Sequence, residues 1–172
     1  MRREHGPTIV RRWTLDDSAT AAALLARNLD HLAPWMPWAR PEVADATFQR
    51  ERLTRVRTQY DDDRADWDFA VETGGAVIGA VGLLVRDGCP RVWYWIDRDR
   101  VGEGHAARAA QLATDTWREC RPEPRLEIRC DEGNPASAAI PRRLGYRLER
   151  VATVEPETTS ETGRMMIWVV DR

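Results

Sequence analysis

The chain of 172 residues has no lysine; all 26 of its basic side chains are arginines. Phe and Tyr are scarce, at two and three, while Trp is abundant at eight, so most large rings in the core or at a binding surface are indoles. Cysteine is sparse too. Cys89, Cys120 and Cys130 are odd in number and lack metal-ligand spacing, which argues against a disulfide framework or a zinc site and for reduced thiols in the cytosol. Neither charge sign dominates: 28 acidic residues leave a net charge of −2, with the signs interspersed. There is no basic stripe for nucleic acid and no polybasic segment for a membrane surface. The opening Met1-Arg2-Arg3-Glu4-His5-Gly6-Pro7 is followed by no apolar signal region, and the longest near-apolar run, 74–85, is too short to span a bilayer. The expectation is a cytoplasmic protein of one domain, residues 1–172, burying roughly 70% of its unfolded surface, with small molecules or peptides as partners.

What is present centres on residues 92–106. Val92-Trp93-Tyr94-Trp95-Ile96 packs aromatic and β-branched residues into a buried strand ending at Asp97, and Val101-Gly102-Glu103-Gly104-His105-Ala106 then opens an alanine-rich helix running to Cys120. A glycine turn at a helix start leaves backbone N–H groups unpaired at the positive end of the helix dipole, with no Cβ to hold an anion away. This turn is fitted to a phosphate or pyrophosphate.

Along the chain, 8–13 reads as a first strand, and Asp16, Asp17 and Ser18 cap a helix with Ala21, Leu24, Leu25, Asn28, Leu29 and Leu32 on one face. Residues 31–41 hold three prolines and two tryptophans, Trp35 and Trp38, on a loop; the rings either wall a cleft or plug the core. A second helix is expected over 42–61, with Phe48, Leu53, Val56 and Tyr60 inward. The acidic run from Asp61 to Asp66 reads as a solvated loop, although beside a cleft it would draw a cationic amine. Strands at 67–72, 76–85 and 91–97, joined by glycine turns, form an antiparallel meander. Hairpins before the glycine motif and a single crossover helix and strand (125–130) after it exclude a dinucleotide-binding Rossmann half. The order points instead to a mixed sheet binding a nucleotide-bearing thioester. Asn134 caps a short helix with Pro135 at its first position and Gly145 after its end, and Ser137, Ile140 and Leu144 share the inner face. The tail, 160–170, is a turn and a last strand pairing with 148–154.

Trp-Tyr-Trp-Ile-Asp at 93–97, Gly-x-Gly-x-Ala at 102–106, Asn-x-x-Ser at 134–137 and Ile-Pro-x-Arg-Leu-Gly-Tyr at 140–146 together resemble the GNAT superfamily of acetyl-CoA-dependent N-acetyltransferases. Within it the chain is most similar to the RimJ/RimL branch of ribosomal-protein N-terminal acetyltransferases, whose early Pro-Trp-Met-Pro-Trp loop it shares. The resemblance implies an α/β fold with a mixed, mostly antiparallel sheet of about seven strands, splayed between the fourth and fifth, and about four helices. It implies acetyl-CoA as co-substrate and no metal, with the pantetheine arm in the splay beside Trp95, Ile96 and Asn134. The backbone of Val101, Gly102, Glu103, Gly104, His105 and Ala106 would hold the pyrophosphate, and Arg100 or Arg108 would supply positive charge.

The implied mechanism is direct attack by a neutral amine on the thioester, with a backbone N–H of the fourth strand on the oxyanion. Trp35, Trp38 and Tyr94 fall on the acceptor side. Many members take the final proton from a tyrosine where this chain has Pro141; the ribosomal branch points to Ser137 instead. The strand glutamate common in the family is Arg91 here, the glycine before Tyr94 is Trp93, and Glu155 or Glu157 lies near a late-strand glutamate of the branch. Without a strong base an α-amine is favoured, because a lysine amine costs roughly 3 kcal/mol more to deprotonate. The absence of lysine reads as codon bias rather than protection from self-acetylation. Alternatives are an antibiotic or small-metabolite N-acetyltransferase, with Trp35, Trp38 and residues 61–68 as the cleft, and a non-catalytic acyl-CoA sensor. Homodimers occur in the branch.

Overall fold

The computed structural model describes residues 1–60 and 65–172. Its frame is one eight-stranded sheet: β1 (Arg2–His5), β2 (Thr8–Arg12), β3 (Trp67–Thr73), β4 (Ala76–Arg86), β5 (Cys89–Ile96), β6 (Arg125–Asp131), β7 (Arg147–Thr153) and β8 (Arg164–Asp171). The spatial order is β1-β2-β3-β4-β5-β6-β8-β7, and among the described strands the one parallel pair is β5 with β6. α1 (Ser18–Leu32) and α2 (Ala46–Gln59) precede the meander, α3 (His105–Cys120) is the β5-to-β6 crossover, and α4 (Pro135–Arg143) follows β6. The core lies between sheet and helices, with Leu53, Phe69, Leu83, Trp117, Leu126 and Ile128 almost fully buried. No described helix is long and apolar enough to cross a membrane.

Three details depart from expectation. The eighth strand is β1, which pairs antiparallel with β2 through a turn at Gly6. Its Arg-Arg-Glu-His sequence has no apolar alternation, so only backbone pairing reveals it. The second helix begins later than 42: Pro41–Ala44 form a 3-10 turn, and the Asp45 carboxylate accepts the Phe48 N–H at 2.8 Å to start α2. Gln49, Leu53 and Val56 recur at i, i+4 and i+7 and form the buried stripe, with Phe48 one position off it, so Phe48 is exposed rather than inward. Of the acidic run, residues 61–64 lie outside the described residues; Asp66 accepts the Val85 N–H at 2.7 Å.

The splay is visible in the register. β5 pairs with β4 along its whole length, from Arg86↔Cys89 to Gly79↔Ile96, but with β6 only at Arg91↔Glu127 and Val92↔Ile128. From Trp93 onward the side of β5 facing β6 has no strand partner.

Candidate active site

The unpaired stretch of β5 has an orientation fixed by the ladder on its other side. Asp97 N–H donates to the Ile78 carbonyl at 2.7 Å, so by the alternation of an antiparallel pair Trp95 also bonds toward β4, while the N–H and C=O groups of Tyr94 and Ile96 face the gap. Beside the gap is a cavity of about 430 Å³, walled by Tyr94, Trp95 and Ile96 of β5, by 100–107, by the α1–α2 loop and by α4.

One end of the cavity is an anion cradle. Gly102 and Gly104 take φ of +88° and +80°, the left-handed region open to glycine at little cost, and a Cβ on Gly102 would meet nothing within 4 Å. The α3 ladder starts only where Arg108 N–H donates to the Gly104 carbonyl at 3.1 Å, so the amides before it receive no acceptor from the helix. Arg100 and Arg143 line the cavity with His31 and His105, and no carboxylate does among the described residues. These residues suit the phosphates of a nucleotide-bearing thioester. His105 anchors the cradle from below: buried, it lies 2.8 Å from Thr8 Oγ1 through Nδ1 and 3.2 Å from the Glu103 carboxylate through Nε2.

The other end carries hydroxyls. Asn134 caps α4 by accepting the Ser137 N–H at 3.0 Å. Ser137 Oγ thereby faces β5 and stands 3.2 Å from the Tyr94 hydroxyl. Burial pushes the Tyr94 phenol above its usual range, so it stays protonated as a donor. Behind them, burial pushes the Cys130 thiol up to about 11, against the Ser137 hydrogen bond, which keeps it neutral at pH 7. All three cysteines are free.

The sequence-derived residues divide as follows. Trp95, Ile96, Arg100, Val101, Gly102, Gly104, His105, Ala106, Asn134, Ser137, Tyr94 and Trp35 all line this cavity. Glu103 does not line it; its carboxylate is ion-paired with Arg100 at 3.3 Å. Arg108 is folded back, donating to the Glu103 carbonyl at 2.9 Å, and does not line the cavity. Trp38 lines a second cavity on the α1/α2 face of the sheet, so the two loop tryptophans serve different walls. Glu155 and Glu157 are exposed beyond β7 and line neither cavity. Their loop is tied to the α1–α2 loop, Thr158 Oγ1 donating to the Pro34 carbonyl at 2.6 Å. Sequence reasoning passed over His31 and Arg143. Arg143 stands inside the quoted 140–146 motif, eight residues after Pro135 on a helix whose inner face was already assigned; a helical projection would have found it.

A splayed sheet beside a glycine-lined anion cradle defines an acyltransferase that draws its acyl group from a coenzyme A thioester. The chain belongs to the acetyltransferase (GNAT) domain family, whose model matches residues 8–147. It is an acetyl-CoA-dependent N-acetyltransferase. YdaF of Bacillus subtilis (strain 168), named among the ribosomal N-acetyltransferases, is 27% identical over 138 residues, which is 76% of this chain and 72% of YdaF. The ribosomal-protein-S5-alanine acetyltransferase of Vibrio fischeri superposes with a TM-score of 0.87 over 99% of this chain and 96% of its own at 22% identity. The microcin C7 self-immunity acetyltransferase MccE, solved with acetyl-CoA and AMP, has a TM-score of 0.86 over 98% and 94% of the two chains at 15% identity.

Proposed function

We propose that the acceptor is the N-terminal α-amine of a protein or peptide. The observation that carries this reading is that, among the described residues, no carboxylate lines the transfer cavity. A lysine amine, almost wholly protonated at pH 7, needs a base there; an α-amine near pKa 8 supplies its own neutral fraction. The name of YdaF supports the choice.

In this reading the amides from Gly102 to Ala107, with Arg100 and Arg143, bind the pyrophosphate, and Asn134, its Oδ1 committed to the helix cap, offers its Nδ2 to the pantetheine arm. Acetyl-CoA supplies an activated acyl carbon. The N–H of Tyr94 or Ile96 receives the carbonyl oxygen as negative charge grows on it. The amine nitrogen forms the new C–N bond, the C–S bond breaks, and the amine's spare proton goes to water. The Ser137 hydroxyl gives its proton to the departing sulfur and recovers one through Tyr94.

The test is acetyl-CoA-dependent thiol release with N-terminal peptides, a lysine peptide with a blocked N-terminus, and aminoglycosides. Release with the free N-terminal peptides alone is expected; release with the blocked lysine peptide or with aminoglycosides alone overturns the reading. Ser137→Ala is expected to lower kcat by about two orders of magnitude, the lower end of the usual worth of a positioned proton donor, with the KM for acetyl-CoA unchanged. Unchanged kcat would remove Ser137 from the chemistry.

A further inference from the structure

The second cavity, of about 480 Å³, lies across the sheet from the anion cradle and meets the transfer cavity at Met36 and Trp95, which line both. Its floor is hollowed by small residues. In register across β3, β4 and β5, Asp68 faces Gly82 and Gly82 faces Trp93; one step along the same face, Ala70 faces Ala80 and Ala80 faces Trp95. Where the family resemblance leads one to expect glycine, this chain has Trp93, and the glycine stands opposite, at 82. A Cβ on Gly82 would sit 2.0 Å from the Trp67 carbonyl oxygen and 2.7 Å from Cε2 and Cζ2 of the Trp93 indole, so the ring comes this close to β4 only over a glycine. Trp13 and Trp38 add indoles from the far side and the rim, Trp38 being 42% exposed.

The charges in the lining cancel. Asp68 is ion-paired with Arg52 and accepts the Trp13 Nε1–H at 2.8 Å, and Asp66 pairs with Arg86 at 3.2 Å. Among the described residues two carboxylates thus meet two guanidiniums, and no unpaired charge is left to select a cation or an anion. What remains is flat apolar surface, suited to another ring by stacking and burial.

We propose that this cavity receives the aromatic side chain of the residue whose α-amine is acetylated, so the enzyme favours acceptors beginning with a large ring. The inference rests on the N-terminal reading above and names the substrate class for it. An amine at the Tyr94–Ile96 gap has its side chain beside Trp95, the residue that joins the two cavities.

The experiment compares thiol release from tetrapeptides that differ only in the first residue: Gly, Ala, Ser, Leu, Phe and Trp. Tryptamine and ethylamine are included as acceptors without a peptide. Wild type is expected to show kcat/KM at least tenfold higher for Phe or Trp than for Ala. Ala80→Leu, which fills the hollow, is expected to bring that ratio to one or below, and Trp38→Ala, a rim change that leaves the core intact, to reduce it severalfold. Equal kcat/KM across the series, or a preference for Gly, Ala or Ser, overturns the proposal while leaving N-terminal acetylation standing. Tryptamine strongly preferred over ethylamine with every peptide inert supports the aromatic cavity and overturns the peptide reading instead.

Discussion

Gly79→Ala is expected to cost about 3 kcal/mol of stability and to abolish most of the transferase activity. Modest as the change is, its added methyl has nowhere to go. An ideal Cβ at this position stands 2.2 Å from the Trp95 carbonyl oxygen and 3.0 Å from the Ile96 Cα. Both are backbone atoms, so no rotamer change relieves the contact; β5 itself must move off β4. Gly79 pairs with Ile96, the residue whose N–H and C=O face the gap, and β5 has no second strand at that point to hold it. Stability and site geometry therefore fail together. For a chain of this size the melting temperature is expected to fall by about 10 °C. A shift of under two degrees, read by calorimetry on the apo-enzyme, would show that the two strands can separate without cost and would refute the account.

The same geometry explains what was readable in the sequence. Val92 to Ile96 announced a buried strand because composition and β-propensity agree there, and the cradle announced itself because glycine at 102 and 104 has a local backbone reason. Signals of that kind need no knowledge of the rest of the fold. The Arg2–His5 strand was invisible, since its pairing with β2 depends on backbone partners that no side-chain pattern encodes. Phe48 reads as inward by its apolarity alone: at about 100° per residue it lies one position off the stripe that Leu53 and Val56 share, and the polar Gln49 occupies that stripe instead. The second cavity was hidden for a further reason: its floor depends on residues too small to be noticed, Ala80 in its lining with Ala70 and Gly82 beside it, which become meaningful only when strand register sets them next to Trp93 and Trp95. A cradle is a local feature, whereas a hollow belongs to the sheet.

Asp97→Ala is expected to remove about 2–3 kcal/mol at pH 7, the range for deleting a buried, hydrogen-bonded charge whose partner can still reach water. The Asp97 side chain is only 2% exposed, but Arg27, its ion-pair partner, is 52% exposed, so the guanidinium is not stranded by the loss. The buried Asn28 suffers more. Its Nδ2 donates to Asp97 at 3.1 Å while its Oδ1 accepts the Arg98 N–H at 2.9 Å, so α1 grips the chain just before the anion cradle. Loosening that grip is expected to raise the KM for acetyl-CoA about tenfold, since the cradle works through the fixed direction of its amides. Acid reports on the same carboxylate. Burial pushes its pKa up, but the Arg27 and Asn28 hydrogen bonds outweigh it, and the folded-state pKa lies below the ordinary value. A depressed carboxylate stabilises the fold fully above its unfolded pKa, near 4, and loses that contribution as pH falls through the folded pKa. The stability gap between wild type and Asp97→Ala, read by urea unfolding, should therefore be whole at pH 7 and clearly smaller at pH 3. An equal gap at both pH values would mean that Asp97 acts by filling space, and that its charge does not hold the cradle in position.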